Sequence, residues 1–521
     1  MKKIIALLLL VAMAFSMVAC GDKKPTTNPG GNGGNEGGNG GTTAEKVRWE
    51  VPAEGFDTET DITITFSHTM GKNLSIVLDR YITKFNEIYP NITVEHTQIG
   101  GYDEVRDQTN KQLTAGNQPN IAYCYPDHVA LYNVTKKVIP LDNLIESTIE
   151  VERADGVTDI IGLTADQKAD FIQTYYNEGA QFDAAGTMYT MPLSKSTEAL
   201  FYNKTFFEEH GLEVPTTWEE MEQLCADIKD ILKADDNAAN DTDYPLGYDS
   251  EANWFITMCE QYLSVVQKEN PNIESLYTST DKNDHFLFNN KITRSFVKEF
   301  REWYQNGYVT TKELYGAYTS KLFTNTDPTK PTCYMCIGST GGANNQIPIG
   351  ENDTFPFEVG VAPIPQVNPE APKAISQGPS LCIFSQSGDA DNQDNKQEVI
   401  ASWLFVKYLC TTPEFQAAFS MTSGYMPVIN SAKEMTQYAN WLNNANSTGN
   451  LVATVAKLAF AQADSAFVSP AFNGSTKARD QVGALIQYCF TTDPAKAGVA
   501  DVDALILKAF QDAITECLSN N

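Results

Sequence analysis

Basic residues are scarce in this chain of 521 residues. Its 37 Lys and Arg face 66 Asp and Glu, giving a net charge of -29, and only seven of the cations are arginine. With no basic stripe to release counterions from a phosphate backbone, nucleic acid is excluded as a partner. Seven arginines also fail to advertise a multi-arginine phosphate clamp. Long apolar runs are missing as well. Outside residues 4–15 no stretch approaches the ~20 residues that span a bilayer as a helix. Cysteine forms no even framework: setting Cys20 aside, nine of the ten remain, an odd number. Cys333 and Cys336 make a C-x-x-C without a second pair at zinc spacing. They sit in the apolar run Cys333-Tyr334-Met335-Cys336-Ile337, where small buried thiols are expected. No Gly-x-Ser-x-Gly, His-Glu-x-x-His or Walker sequence occurs. Asp and Glu are so abundant that a coincidental glycosidase-like pair carries no information. No catalytic residue, metal ligand or cofactor is therefore assigned.

What is present begins with 42% hydrophobic and 11% aromatic residues, enough for a real core, in a chain too long for one. Lys2 and Lys3 precede an apolar stretch at residues 4–15, about 12 residues long, the plan of a secretory signal. Val18-Ala19-Cys20-Gly21 follows and is similar to a bacterial lipobox. That similarity implies cleavage after residue 19, acylation of Cys20, and a chain held on the outer face of the cytoplasmic membrane by its buried methylenes. Residues 20–58 then form the lipidated cysteine and a linker whose GGNGGNEGGNGG run can bury nothing and is expected to be a flexible leash.

From Asp61 the pattern becomes regular. Ile62, Ile64 and Phe66 alternate with Thr63, Thr65 and Ser67, which predicts a strand. Leu74, Val77, Leu78, Tyr81, Ile82 and Phe85 then recur at helical spacing until Pro90. A strand over 92–97, a helix over 102–115 closed by Gly116, and a strand over 121–124 follow. Strand and helix alternating in this way predict a parallel sheet with right-handed crossovers. Ligands of such sheets collect beyond the carboxyl ends of the strands, which singles out His68 and the Tyr125-Pro126-Asp127-His128 turn. Residues 140–185 read as mostly helical cover.

The best punctuated stretch is 186–222. Pro192 forces Met191 into an extended conformation, and residues 199–202 suit a buried strand. Asn203 can cap a helix that stops at Gly211, and Thr217 with Glu220 makes a capping box before Met221, Leu224 and Ile228. The ordered string Tyr189, Pro192, Tyr202-Asn203-Lys204, Gly211, Pro215-Thr216-Thr217-Trp218-Glu219 resembles the extracellular solute-binding proteins of ABC importers, in the sugar-binding group related to maltose-binding protein. Val359-Gly360-Val361-Ala362-Pro363, Gly378-Pro379-Ser380 and Ser423-Gly424-Tyr425-Met426-Pro427 extend the likeness.

That resemblance implies an α/β protein of the periplasmic-binding-protein type II fold, two α/β lobes joined by a multi-crossover hinge. The lobes are expected over 59–192 plus 361–412, and over 193–360 plus 413–521, with crossings near Pro192, Gly360 and Pro413. It implies a monomer that captures a mono- or oligosaccharide in the interlobe cleft and delivers it to a membrane permease. Aromatic faces for the sugar are sought in Tyr125, Trp254 and Tyr425. Polar groups are sought in His68, Asp127, Ser194, Ser196, Ser339 and Thr340, with Gly378 at the return crossover. Trp254 can equally be a core residue at helical spacing with Met258 and Tyr262. His68 can be a loop histidine without a ligand, and Gly338 to Gly342 a plain strand-to-helix turn. Three rival readings stand: a surface glycosidase, an adhesin-like protein with a vestigial cleft, and a polyol-phosphate or peptide binder on the same fold. The last predicts Lys72, Lys195 or an arginine pointing into the pocket.

Overall fold

The computed structural model describes residues 46–234, 242–279, 284–388, 395–445 and 450–519. The expected signal, Cys20 and residues 21–45 of the leash lie outside them. The rest of that leash is corrected: Trp49 is buried in the core of the first sheet, Phe56 packs edge-on to Tyr89 at 6.3 Å, and Lys46 pairs with Asp142 at 2.6 Å, so residues 46–58 belong to the first lobe. Two five-stranded sheets organise the chain. The first contains β1 (Ile62–His68), β2 (Ile92–Gln98), β3 (Ile121–Cys124) and β4 (Met191–Pro192). The second contains β5 (Glu198–Asn203), β6 (Tyr244–Tyr248), β7 (Val309–Thr311), β8 (Cys333–Ser339) and β9 (Val359–Pro363). The last strand, β10 (Ser380–Ile383), returns to the first sheet. The strand orders are β2-β1-β3-β10-β4 and β9-β5-β8-β6-β7. β1 pairs in parallel with β2 and β3, as strand–helix alternation requires, while β10 runs antiparallel to β3.

Local punctuation acts as the residues dictate. The Asn203 side chain accepts the Phe206 N–H at 3.0 Å, and Gly211 closes that helix with φ 64°. The Thr217 hydroxyl accepts the Glu220 N–H at 3.1 Å, while the Glu220 carboxylate accepts the Thr217 N–H at 3.1 Å. Ile64, Phe66, Phe85, Trp403 and Phe405 centre the core behind the first sheet, and Trp218, Trp254, Phe300 and Trp303 that behind the second. All nine described cysteines are buried free thiols.

Three expectations are corrected. The chain does not leave the second sheet at Gly360, because Val359–Pro363 pairs antiparallel with β5 from Asn203 back to Ala199; the return comes at residues 376–380. Nor does it cross at Pro413. The helix Pro413–Ser423 buries Phe415 and Phe419 in the first core, with Phe415 edge-on to Tyr81 at 5.3 Å. Val428, Ile429 and Ala432 stay there too, and the chain reaches the second lobe with Leu451 and Val455 against Ala199 and Phe201. Residues 140–185 are not mostly helical: helices are limited to Asp142–Glu146, Ala165–Asp170, Gln173–Asn177 and Glu178–Ala180, and Glu150–Glu152 and Thr158–Ile160 form an antiparallel hairpin.

The passage between sheets is a three-stranded splice. Ser196 exchanges backbone hydrogen bonds with Gln377 at 2.9 and 2.8 Å, and Lys195 does so with Met426 at 3.0 and 2.6 Å. On β9, a Cβ at Gly360 would fall inside the Tyr202 ring. Gly360→Ala is therefore expected to cost about 1–3 kcal/mol by overpacking. Urea melts of that variant, with and without Tyr202→Ala to clear the space, check it.

Candidate functional site

Where the splice meets the carboxyl end of β3, Tyr125, Asp127, Glu178, Lys195, Gly378 and Arg479 enclose a pocket of about 30 Å³. A water needs about 10–15 Å³, so the pocket has room for little more than a water. Four elements bring these groups together. Asp127 follows β3, Glu178 ends the helical cover of the first lobe, Lys195 lies in the splice, and Arg479 sits near the start of the helix Ser475–Thr491. Gly378 has φ 104°, and a Cβ there would lie 2.5 Å from the Ser194 carbonyl oxygen and 2.8 Å from Lys195 Cα. Only glycine permits that approach.

The charges balance. Lys195 Nζ and the Glu178 carboxylate form an ion pair, 1% and 2% exposed, and the Ser376 hydroxyl donates to the other Glu178 oxygen at 2.7 Å. Arg479 donates to the Asn253 side-chain oxygen. Among the described residues the Asp127 carboxylate, 8% exposed, accepts no protein hydrogen bond. Gln377 Oε1, on the pocket wall, is buried without a partner, and so is Ser194 Oγ beside it. Buried unpaired acceptors are costly, and solute hydroxyls would satisfy them.

Behind the pocket lies a buried carboxyl. Glu198 accepts from the Tyr248 hydroxyl at 2.8 Å and from Asn253 Nδ2 at 2.9 Å. Burial pushes it up to about 7, against those two hydrogen bonds and the nearby Arg479. Asp249, at the carboxyl end of β6, is pushed up to about 6 by burial, although it accepts from the N–H and hydroxyl of Thr319 at 2.6 and 2.7 Å.

Of the residues singled out in the sequence, the structure places Tyr125, Asp127 and Gly378 on the pocket wall, with Ser194 adjoining. Ser196 is buried and hydrogen-bonded to the Ser339 hydroxyl at 3.2 Å, and Thr340 ties to Thr197 at 2.8 and 3.1 Å, so these three hold the back of the cleft together. Tyr425 donates to or accepts from the Tyr102 hydroxyl at 3.0 Å and packs its ring over Gly341. Tyr102 in turn stacks on Tyr125 at 4.7 Å.

Two placements are corrections. Trp254 offers no face to a solute: it is fully buried, stacked on Phe300 at 3.9 Å and Tyr248 at 5.0 Å. His68 is equally buried, its Nε2 bonded to His96 Nδ1 at 2.8 Å and its Nδ1 accepting the Met70 N–H at 3.0 Å. Sequence reasoning missed Glu178, Gln377 and Arg479, and named Lys195 only as the mark of a rival reading. No local pattern advertises them; Asn253, one residue before Trp254, is the member of that helix that reaches toward the pocket.

Residues 80–446 match the family model of the bacterial extracellular solute-binding proteins. The chain belongs to that family. Among relatives of this solute-binding protein, the sn-glycerol-3-phosphate-binding periplasmic protein UgpB of Escherichia coli strain K12 is 24% identical over 390 residues, covering 72% of this chain and 76% of that one. UgpB from Mycobacterium tuberculosis, solved in complex with glycerophosphocholine, superposes with a TM-score of 0.65 at 17% identity, covering 88% of this chain and 98% of the other. The maltose/maltodextrin-binding domain MalE from Bdellovibrio bacteriovorus, bound to maltotriose, gives 0.60 at 18% identity, covering 87% and 99%. The fold of this solute-binding protein is thus that of the two-lobed binding proteins, and its place is outside the cytoplasm.

Proposed function

We propose that the protein captures a neutral carbohydrate, a mono- or oligosaccharide, between its lobes and delivers it to the transmembrane subunits of an ABC importer. The observation that carries this is the balanced pocket: Asp127 and Glu178 against Lys195 and Arg479, with unpaired acceptors at its wall. Such a set matches hydroxyls that both donate and accept, and leaves no net charge for an anion to neutralise. In this reading residues 1–19 are a signal, Cys20 carries the lipid, residues 20–45 tether a monomer to the outer face of the membrane, and no reaction is catalysed. Cys20→Ala should release the protein from the membrane fraction. Turnover of aryl-glycosides, abolished by one carboxylate substitution, would overturn the binding role.

A polyol-phosphate is the second reading. It is supported by Arg479 and Lys195 on the pocket wall and by the glycerol-phosphate names of the relatives.

A thermal-shift screen of the protein lacking residues 1–45 separates the two. Solute at about 100 times its Kd adds about 2.7 kcal/mol of stability by mass action. A sugar is expected to give that shift, and Asp127→Ala and Arg479→Ala to remove it. A shift by sn-glycerol 3-phosphate alone selects the second reading. Normal binding by both variants would place the site elsewhere.

A further inference from the structure

Arg479 is held in the pocket by a relay that ends in a buried carboxyl to which no cation among the described residues is bonded. Its guanidinium donates to Asn253 Oδ1, Asn253 Nδ2 donates to Glu198 Oε1 at 2.9 Å, and the Tyr248 hydroxyl donates to Glu198 Oε2 at 2.8 Å. Glu198 is 2% exposed, Asn253 3% and Tyr248 fully buried, so no water competes along the chain. The charged and titratable groups facing Glu198 are Arg479, Asp249 and Tyr248. Those around Arg479 include Asp480, Tyr125, Tyr277, His128 and the pocket carboxylate Asp127, and His128 is pushed down to about 4, below the range in question.

We infer that Glu198 and Asn253 are positioning residues that set where Arg479 points, and that proton uptake by Glu198 lets Arg479 go. This rests on the reading of Arg479 as a solute-facing cation. A primary amide has one accepting and one donating end. An ionised Glu198 only accepts, so Asn253 must turn its NH2 toward it and its oxygen toward Arg479. A proton on Oε1 reverses this: the amide turns over to accept it and sets its NH2 against the guanidinium. A proton on Oε2 would instead make Tyr248 an acceptor and strand the phenolic hydrogen. Tyr248 is fully buried against Trp254, 5.0 Å away and stacked, so that hydrogen finds no other partner. Arg479 is only half-buried and can swing to water. The less costly break is therefore at Arg479. Glu198 titrates close to neutrality, so solute is gripped above neutral pH and released below it.

The relay can be read without any solute. Phenylglyoxal adds to accessible guanidiniums, and peptide mass spectrometry quantifies the adduct at Arg479 relative to Arg80, which is exposed on the opposite lobe and cancels the reagent's own pH dependence. In the parent protein the Arg479-to-Arg80 ratio is expected to rise at least threefold between pH 8 and pH 6. In Glu198→Gln the ratio should be the same at both pH values, and in Asn253→Leu it should be high throughout. Should Asn253→Leu fold poorly, Glu198→Gln alone carries the test, since it keeps the shape of the side chain. A parent ratio that does not move with pH, or a pH step that survives in Glu198→Gln, overturns the relay. Normal solute binding by Arg479→Ala would instead sink the reading of the site while leaving the adduct result intact, so the two failures are distinguishable.

Discussion

Lys195→Met is expected to lower the stability of the fold by about 3–5 kcal/mol. Lys195 Nζ and the Glu178 carboxylate are 1% and 2% exposed, and the carboxylate's remaining oxygen is already taken by Ser376. Removing the ammonium leaves an anion with one hydroxyl for company, 2% exposed, on the wall of a pocket with room for little more than a water. The protein must then accept the desolvation cost or carry Glu178 as a neutral acid. The pair also lies at the splice, where the Lys195 backbone is bonded to Met426, so the damage falls where the two lobes meet.

A loss of that size does not mean the pair itself contributes as much. Replacing both partners by groups of similar volume is often neutral, because neither charge then needs solvating. Lys195→Met with Glu178→Leu should accordingly recover most of what the single change loses. Urea midpoints of the parent, both single variants and the double variant form the cycle. A single-variant loss below about 1 kcal/mol would mean that water reaches Glu178 after all.

Features that depend on neighbours in the chain were legible; features that depend on distant partners were not. Asn203, Gly211, Thr217 and Glu220 act as their order in the sequence demands, because a cap is decided within four residues. Pro413 stands at the first position of its helix, which says where a helix starts and nothing about which core Phe415 and Phe419 will cover. Val359 to Pro363 looked like a passage between lobes because of its resemblance to the family's sequence there. It is an edge strand, where a terminal proline costs no ladder bond. Trp254 at helical spacing with Met258 and Tyr262 suited both a core and a sugar face; Phe300 and Tyr248, supplied from elsewhere, decided for the core. Asp127 was found by the rule for strand ends, whereas Arg479 reaches the same pocket from the far end of the chain, and no periodicity reports that.

Acid is expected to act on the fold through two histidines. Burial pushes His68 down to about 4, helped by its neighbour His96, and burial pushes His128 down to about 4 as well. The geometry gives the reason: His68 Nδ1 accepts the Met70 N–H at 3.0 Å and His128 Nδ1 accepts the Tyr125 N–H at 3.3 Å, so a second ring proton must break a backbone hydrogen bond. In the unfolded chain both protonate near 6.5, and in the native state only near 4. Each therefore contributes stability that is full above pH 6.5 and is lost as the pH falls toward 4, about 3 kcal/mol apiece at the acid end. Glu198 and Asp249 act in the opposite sense. Their carboxyls, pushed up to about 7 and about 6, keep in the native state a proton that the unfolded chain has given up, so their share falls as pH rises. These contributions oppose one another, so the informative quantity is the difference between variant and parent. Near pH 5, His68→Gln and His128→Gln should each lower the slope of unfolding free energy against pH, making it more negative than the parent's, by about 1.2 kcal/mol per pH unit, and together by about twice that. Urea melts from pH 4 to 7.5 measure it. A variant whose curve stays parallel to the parent's would show that its histidine is already free to take up a proton in the folded state, and that the Met70 or Tyr125 N–H does not hold its ring neutral.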